Sequence, residues 1–186
     1  IKYIEPLEAN RCAWGHDIGT EPVYREAAER AMRTGEPTLT GRLTTPQAVP
    51  GHYGVVFYLP VYRNGTHPTT PTEREAACAG WIYMSIALDR ALADVINAAE
   101  NCLDLEVFDG SRTTKAAQLF DADGHLDQLT GEIGEKDYPG RMFNKQSALR
   151  VGGREWTLRM STTPAFDAVV GNQRPGVTAA IGASLT

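Results

Sequence analysis

Hydrophobic and polar residues alternate in several stretches of the chain, and this period of two predicts β-strands. In the first hundred residues the pattern covers Ile1–Leu7, Thr38–Thr44, Tyr53–Tyr62 and Ala79–Met84. The strand at 53–62 is also rich in β-branched and aromatic side chains, which favour sheets. We expect the segments 38–44 and 53–62 to pair with each other through the loop at 46–51.

Apolar residues recur at three- and four-residue spacing in two other segments, and this spacing predicts helices. The first helix is expected to begin after Thr20 as N-cap, to place Val23, Ala27 and Ala31 on one face, and to end at Gly35. The second is expected over Asp89–Ala99. We expect the first helix to cover a sheet and the second to link two modules.

Shorter strand patterns follow after residue 100. Leu103–Phe108 and Arg154–Met160 are the clearest, and Asp/Gly turns are expected at 109–110 and 121–124. The order of strand, helix, strands, linking helix and strands predicts an α+β fold of two small units with mainly antiparallel sheets. A doubly wound α/β fold fits less well, because regular βαβ alternation is missing.

This order divides the chain into three parts: a first module at 1–99 that includes the linking helix, a second module at 100–170, and a tail at 171–186. The tail is apolar, so it is either the approach to a transmembrane helix or a disordered end. No apolar stretch is long enough to span a bilayer. The chain begins with Ile1 rather than Met, which indicates a segment of a longer protein.

Composition and charge exclude some classes of function. The chain is 42% hydrophobic and 22% charged, which is typical of a folded domain. A net charge of -5 and the lack of a dense Lys/Arg cluster argue against a nucleic-acid partner. Cys12, Cys78 and Cys102 form no CxxC pair, so they indicate neither a zinc site nor a particular redox compartment. We expect no cofactor.

Motifs for catalysis are missing from the sequence. His16, His52, His67 and His125 lie far apart and none belongs to HExxH, so we expect no metal site. Residues 121–124 resemble the start of a calcium loop but lack the closing Glu, and we expect a turn there. No P-loop or GxSxG motif occurs. Glu132 and Glu135 are expected to be surface charges, and a hydrolase is the least favoured class.

Several short motifs, taken in order, resemble the CHASE family. In the first module the motifs that resemble the family are Leu59-Pro60-Val61-Tyr62 and Gly80-Trp81-Ile82-Tyr83. In the second module the motif is Leu105-Glu106-Val107-Phe108-Asp109-Gly110. Each motif alone is weak, and their order carries the resemblance. Other stretches that match are Tyr3 to Glu8 with Gly15 to Asp17, Ala31 to Pro37, Glu73 to Ala77, Leu119 to Gly124, and Trp156 to Leu158 followed by Thr163 to Phe166.

The resemblance implies two tandem PAS-like modules outside the membrane, in a receptor whose cytoplasmic output is a histidine kinase or a diguanylate cyclase. It also implies a small-molecule ligand, a membrane anchor in the full-length protein, and a homodimer. The long stalk helix that opens the family layout does not precede Ile1. This departure leaves open whether the first module is complete.

A ligand site in the first module needs aromatic walls and a few fixed polar groups. In plant cytokinin receptors of this family a carboxylate on the helix holds the ligand, and the matching position here is Tyr24. Cytokinin is therefore not expected, and a neutral planar or partly apolar ligand suits a tyrosine better. The expected ligand-binding residues are Tyr3, Leu7, Tyr24, Thr40, Tyr58, Trp81 and Tyr83.

Core packing is the alternative role for each of these aromatic side chains, because aromatic residues commonly fill cores. At the level of the whole chain, the alternative to a sensor is a structural or dimer-contact module that binds no metabolite. A small molecule that raises the melting temperature would distinguish the two.

Overall fold

A computed structural model describes residues 1–44, 53–99 and 102–171 of the chain. The predicted loop at 46–51 and nearly all of the predicted tail lie outside these residues. The chain divides into two compact units. Unit 1 consists of Ile1–Gly41 and Val55–Ser85, and unit 2 consists of Arg42–Gly54 and Ile86–Thr186. The boundaries of the predicted modules remain a prediction, and the predicted linking helix belongs to unit 2.

Unit 1 combines a three-stranded sheet with one long helix. The strand order is β1-β2-β3, and β1 runs antiparallel to β2 with Thr38 opposite Tyr58. This confirms the predicted pairing of the two segments. The elements in chain order are α1 (Leu7–Asn10), α2 (Pro22–Thr34), β1 (Thr38–Leu39), β2 (Gly54–Tyr62), α3 (Pro71–Ala77) and β3 (Cys78–Ala87).

The predicted first strand at Ile1–Leu7 is wrong. Residues 1–6 are irregular, and Leu7 begins the short helix α1. The segment is tied locally, because the Ile1 amino group donates a hydrogen bond to the His16 carbonyl and Gly15 N donates to the Ile1 carbonyl. A segment with an alternating pattern forms a β-strand only where a neighbouring strand pairs with it. Pro6 also lacks the backbone N–H that a strand donates to its neighbour.

Helix α2 forms where the sequence predicts it, with small differences at its start. Pro22 occupies the first turn, where its missing N–H costs nothing, so Glu21 rather than Thr20 is the N-cap. Ala27, Ala31 and Met32 are buried, whereas Val23 is 38% exposed. The buried stripe is therefore rotated by one residue from the predicted one, and Tyr24 lies at its N-terminal end.

Helix α2 ends at Gly35, which adopts the left-handed conformation with φ +76°. A Cβ added there would lie 3.0 Å from Arg74 Nε. We expect Gly35→Ala to lower the free energy of unfolding by about 1–2 kcal/mol, because an L-residue is strained at this φ. Urea denaturation followed by circular dichroism measures the loss.

Gly134→Ala is the control, since Gly134 has an extended backbone and a Cβ there meets no atom within 4 Å. It should change the free energy of unfolding by less than about 0.5 kcal/mol. Equal losses in both variants would contradict the role assigned to the Gly35 conformation.

Helix α3 is not evident from the sequence, because seven residues are too few to show a helical period. Thr70 Oγ1 accepts a hydrogen bond from Glu73 N, and the Glu73 carboxylate accepts one from Thr70 N, which together form a capping box. These bonds, with those from Thr69, lower the pKa of Glu73 to about 2. The connection between β2 and β3 therefore contains a capped helix.

Unit 2 is built on a four-stranded antiparallel sheet with the order β5-β4-β7-β6. Gly152 and Gly153 both have positive φ and close the β6–β7 hairpin, as a two-residue turn requires. The elements in chain order are α4 (Leu88–Ala98), β4 (Leu103–Asp109), β5 (Gln118–Asp121), β6 (Asn144–Val151), β7 (Arg154–Thr162) and α5 (Pro164–Gly171).

The predictions for α4, β4 and β7 are confirmed, and the α+β fold class with antiparallel sheets is confirmed with them. Strand β6 was not predicted, because its sequence NKQSALRV is largely polar and its side chains are mostly exposed. Strand β5, at four residues, is too short for alternation to stand out. A hydrophobic pattern finds strands that bury a face, and β6 buries little.

The core of unit 2 packs beside β4, which is buried on both faces. Phe108, Leu126, Ile133 and Tyr138 form one cluster, with Ala117 and Leu129 packed against it. On the same face of β4 as Phe108, strand alternation places Asp104 and Glu106. Both are almost completely buried. The sheet of unit 2 thus carries charged side chains in its interior.

Candidate functional site

In unit 1, helix α2 covers one face of the sheet and is tied to it by aromatic side chains. Trp81 Nε1 donates a hydrogen bond to the Ala28 carbonyl at 2.8 Å, and the Tyr62 hydroxyl donates to the Met32 carbonyl at 2.7 Å. The small side chains of Ala27 and Ala31 let the helix backbone approach the strands. The helix-facing side of β2 and β3 is therefore lined with aromatic rings.

Three of the predicted ligand-binding residues come together on this face. The rings of Tyr58 and Tyr83 have centroids 6.0 Å apart and are tilted by 39°. Burial raises the pKa of Tyr58, and the phenol groups of Tyr24 and Tyr83 raise it further, so the Tyr58 hydroxyl lies within electrostatic reach of both. Burial also raises the pKa of Tyr24 and of Tyr83.

The Tyr83 hydroxyl is buried, and no described residue makes a hydrogen bond with it. A buried hydroxyl without a partner is uncommon and costs free energy. By contrast, Thr40 is used within the sheet: its Oγ1 accepts a hydrogen bond from Val56 N at 2.9 Å. Thr40 therefore holds β1 against β2, and Tyr83 offers a free polar group beside the Tyr58 ring.

The remaining predicted residues lie in different surroundings. Tyr3 is 80% exposed, with the Lys2 ammonium over its ring, and it lies in the irregular segment before α1. Leu7 is half-buried at the start of α1. Trp81 is on the helix-facing side but remains 40% exposed. The structure therefore gathers Tyr24, Tyr58, Trp81 and Tyr83 around α2, with Thr40 behind them in the sheet.

Unit 2 contains a second group of polar residues, which the sequence analysis did not predict. Asp104 and Glu106 lie on β4, Asp121 ends β5, and His125 lies four residues further on. One donor atom from each of these four side chains falls within 4.8 Å of the others. A hydrogen bond from Gly124 N to Asp121 Oδ1 and one from Leu126 N to Asp121 Oδ2 fix the turn that carries His125. We call these four residues the carboxylate–histidine cluster.

The distances within the cluster centre on His125. Its Nδ1 lies 3.3 Å from Asp104 Oδ2, 3.7 Å from Asp121 Oδ1 and 3.8 Å from Glu106 Oε1. A fourth carboxylate, that of Asp123, is 2.7 Å from the same nitrogen. The edge of the His125 ring contacts Tyr138, which limits how the imidazole can turn.

Arg141 is the main cation beside the cluster. Its Nη2 donates hydrogen bonds to Asp104 Oδ2 at 3.1 Å and to Asp123 Oδ2 at 2.7 Å. Arg159 lies opposite Glu106 on β7, but its guanidinium donates to Glu135 and Asn144 and stacks on the Tyr138 ring. Neither oxygen of Glu106 accepts a hydrogen bond from a described residue.

The protonation states in the cluster follow from burial and from the uneven distribution of hydrogen bonds among its carboxylates. Burial raises the pKa of Glu106 to about 9, and the neighbouring Asp104 carboxylate adds to the rise. Burial alone would lower the pKa of His125, but its hydrogen bonds to Asp104 and Asp123 raise it to about 10. Hydrogen bonds from His125 and Arg141 keep the pKa of Asp123 below its usual range despite burial. At neutral pH the Glu106 carboxyl is therefore protonated and neutral, and His125 carries a positive charge.

A cavity of about 420 Å³ adjoins the cluster within unit 2. Asp121 and Asp123 line it, together with Asp89 and Asp127 and with Ala93, Ile96 and Asn97 of α4. In unit 1, a cavity of about 460 Å³ lies beside α3, between Arg63, His67 and Glu73. Only the first of these adjoins a group of buried charges.

The carboxylate–histidine cluster was not predicted because its members lie on β4, at the end of β5 and in the turn that follows β5. The sequence does contain one signal: Asp104 and Glu106 alternate with apolar residues in a strand that is otherwise buried. Charged residues at inward positions of a buried strand require partners or a ligand. The predicted turn at 121–124 agrees with the Asp121–Gly124 hydrogen bond. The turn by itself did not indicate that β4, with Asp104 and Glu106, lies next to it.

The chain has the fold of α+β domains built on antiparallel sheets. The tyrosines that α2 covers resemble a ligand-binding surface more than a catalytic centre. The chain belongs to the CHASE domain family, because a sequence model of that family matches residues 1–120. This confirms the resemblance seen in the motifs. CHASE domains are extracytoplasmic sensor domains, so the chain is a sensor domain and not a catalytic one.

No curated protein matches the chain. Among solved structures, it is similar to the ligand-binding domain of the Pseudomonas aeruginosa PAO1 amino acid chemoreceptor PctC in complex with GABA, at 13% identity and a TM-score of 0.44. The similarity covers 79% of this chain and 63% of that domain, so the chain spans less than two thirds of it. Among residues 1–44, 53–99 and 102–171, no helix is long and apolar enough to cross a membrane.

Proposed function

We propose that this chain is the sensing part of a transmembrane signalling receptor of the histidine kinase or diguanylate cyclase type, and that it binds a small molecule against α2 in unit 1. Family membership supports the sensory class. The observation that carries the site is the buried hydroxyl of Tyr83, which has no partner among the described residues and lies beside the Tyr58 ring.

The chemistry of these side chains limits the ligand class. The phenol groups supply flat apolar surface and neutral hydroxyls, and no carboxylate stands at position 24 to hold a basic ligand. Burial raises the pKa of all three tyrosines, so they remain neutral donors over the physiological range. We therefore propose a neutral, planar or partly apolar metabolite with at least one hydrogen-bond acceptor.

Binding would signal only if the ligand prefers one of two receptor states, because equal affinity for both shifts nothing. Helix α2 is suited to this role, since Trp81 and Tyr62 fix it to the sheet through side-chain hydrogen bonds to its backbone. A ligand that inserts beside Tyr83 would change how α2 packs. We propose that this change in packing is the event that the receptor transmits.

The test uses thermal shift with a panel of neutral planar metabolites, such as adenine, indole, uracil and phenol derivatives, with amino acids as a contrast set. We expect a planar compound to raise the melting temperature of the wild type, and calorimetry to give its affinity. Tyr83→Phe should weaken that compound about 3- to 10-fold, the value of one hydrogen bond. Without ligand, the same variant should be at least as stable as the wild type, since it removes an unpaired buried hydroxyl.

Tyr53→Phe is the matched control, because it deletes a phenol hydroxyl in unit 2 and keeps the ring that stacks on Arg42. Its affinity for the same compound should equal that of the wild type. Equal affinity of Tyr83→Phe and the wild type would exclude Tyr83 from the site. A panel in which only the amino acids bind would contradict the proposed ligand class.

A further inference from the structure

We propose that Asp104, Glu106, Asp121 and His125 bind one divalent transition-metal ion in the interior of unit 2. This inference goes beyond the sensing role of unit 1 and does not depend on it. It rests on the geometry of the carboxylate–histidine cluster, on buried oxygens of Asp104 and Glu106 that no described residue satisfies, and on the adjoining acidic cavity.

The donor atoms already have the spacing of a coordination sphere. Ligands of a tetrahedral ion at metal–ligand distances near 2.1 Å lie ~3.4 Å apart. His125 Nδ1 lies 3.3, 3.7 and 3.8 Å from oxygens of Asp104, Asp121 and Glu106. One donor atom from each of the four side chains lies within 4.8 Å of the others, so binding requires the oxygens to close in around the ion. It also requires His125 Nδ1 to exchange its hydrogen bond with Asp123 for the metal.

Burial makes these donors unusual. Glu106 is 0% exposed and Asp104 is 1% exposed, yet both oxygens of Glu106 and Oδ1 of Asp104 lack a hydrogen-bond partner among the described residues. Buried carboxylates are normally paired or coordinate a metal. Arg141 occupies Oδ2 of Asp104, the oxygen that lies 3.3 Å from His125 Nδ1, and Oδ1 remains available. Asp104 and Glu106 therefore hold unsatisfied lone pairs inside the cluster, whereas both oxygens of Asp121 already accept backbone hydrogen bonds.

Charge favours a small cation over an organic one. Arg141 and His125 face three carboxylates, those of Asp104, Asp121 and Asp123, and Glu106 would add a fourth on giving up its proton to a bound cation. The unpartnered oxygens of Glu106 have almost no accessible surface, and the adjoining cavity is lined by Asp121 and Asp123 rather than by Glu106. A single ion fits between the donors, whereas an amine on a carbon skeleton does not reach them.

The mixture of donors selects the class of metal. Three carboxylates suit hard cations, and an imidazole nitrogen favours Mn²⁺, Fe²⁺ or Zn²⁺ over Mg²⁺ and Ca²⁺. Entry is provided by the cavity beside α4, whose wall carries the carboxylates of Asp89, Asp121, Asp123 and Asp127. Negative charge along this route would concentrate divalent cations at the mouth of the site.

The experiment titrates Mn²⁺ into the whole chain after removal of bound metal with EDTA, with free Mn²⁺ measured by electron paramagnetic resonance. Mn²⁺ is preferred to Zn²⁺ as the probe because Cys12 and Cys78 are free thiols that would bind zinc elsewhere. We expect one saturable Mn²⁺ per chain and weaker binding of Mg²⁺ in competition. Glu106→Gln and His125→Gln should each lower the Mn²⁺ affinity by at least about tenfold.

Glu155→Gln is the matched control, since Glu155 is an exposed carboxylate on β7 in the same sheet. Its Mn²⁺ affinity should equal that of the wild type. His125→Gln keeps the test valid if Glu106→Gln does not fold, because the His125 side chain is partly exposed. Fewer than one ion per two chains, equal affinity for Mg²⁺, or wild-type affinity in the folded variants would overturn the proposal.

Discussion

Phe108→Ala is expected to lower the free energy of unfolding of unit 2 by about 3–5 kcal/mol, the largest effect of any single change considered for this protein. Phe108 is completely buried and packs in one cluster with Leu126, Ile133 and Tyr138. Removing the ring withdraws apolar surface and leaves a cavity that β4, held between β5 and β7, cannot close. Hydrogen exchange of β4 and β7 amides measures the loss within unit 2.

Phe143→Ala is the control for this prediction, because Phe143 is 61% exposed just before β6. It should cost less than about 1 kcal/mol. A loss at Phe143 as large as that at Phe108 would mean that the cluster beside β4 is not the core of the unit. Amides of β2 in unit 1 should be protected equally in both variants.

Glu106→Gln is expected to have the opposite sign and to raise the free energy of unfolding of the metal-free protein by about 1–3 kcal/mol. In the metal-free state the Glu106 carboxyl is buried beside Asp104 with neither oxygen hydrogen-bonded by a described residue. Burial raises the pKa of Glu106 to about 9, so the acid must take up a proton on folding at neutral pH, which costs free energy. An amide of the same shape has no such cost and can donate to the free Asp104 Oδ1. Urea denaturation in EDTA at neutral pH measures the gain.

Glu155→Gln again serves as the control and should change stability by less than about 0.5 kcal/mol. If Glu106→Gln is less stable than the wild type in EDTA, then Glu106 has a partner that the geometry does not show. The prediction also links stability to the proposed metal site. A residue kept at a cost to the fold is expected where its side chain binds something.

The fold class followed from the sequence because most elements show a local pattern of apolar and polar residues. The helix α2 and the strands β2, β3, β4 and β7 each carry a clear period, and each forms close to its predicted position. The failures have a common cause. Residues 1–7 alternate but find no partner strand, whereas β6 finds a partner in β7 without an apolar face. The pairing of strands depends on the tertiary fold, whereas the apolar and polar period of a sequence reports only the burial of side chains.

The family also followed from the sequence, since the motifs that indicated it lie largely within the residues that the family model matches. Of the predicted ligand-binding residues, Trp81 and Tyr83 could be placed on one face by strand alternation alone, because alternate residues of a strand point to the same side. The position of Tyr58 beside Tyr83 depended on how β2 lies next to β3 in the sheet. Tyr3 could not be placed in this way, because its expected position depended on the predicted first strand. Its prediction as a ligand contact rested on an element that does not form.

The sequence by itself determined the α+β class, the CHASE family and the aromatic character of the face that α2 covers, because these depend on local period and residue type. Only the tertiary structure decided that Tyr83 lacks a hydrogen-bond partner and that Asp104, Glu106, Asp121 and His125 meet around one point. The reason is physical. A coordination distance of a few ångströms is set by how β4, β5 and the following turn pack, and that packing leaves no period in the chain.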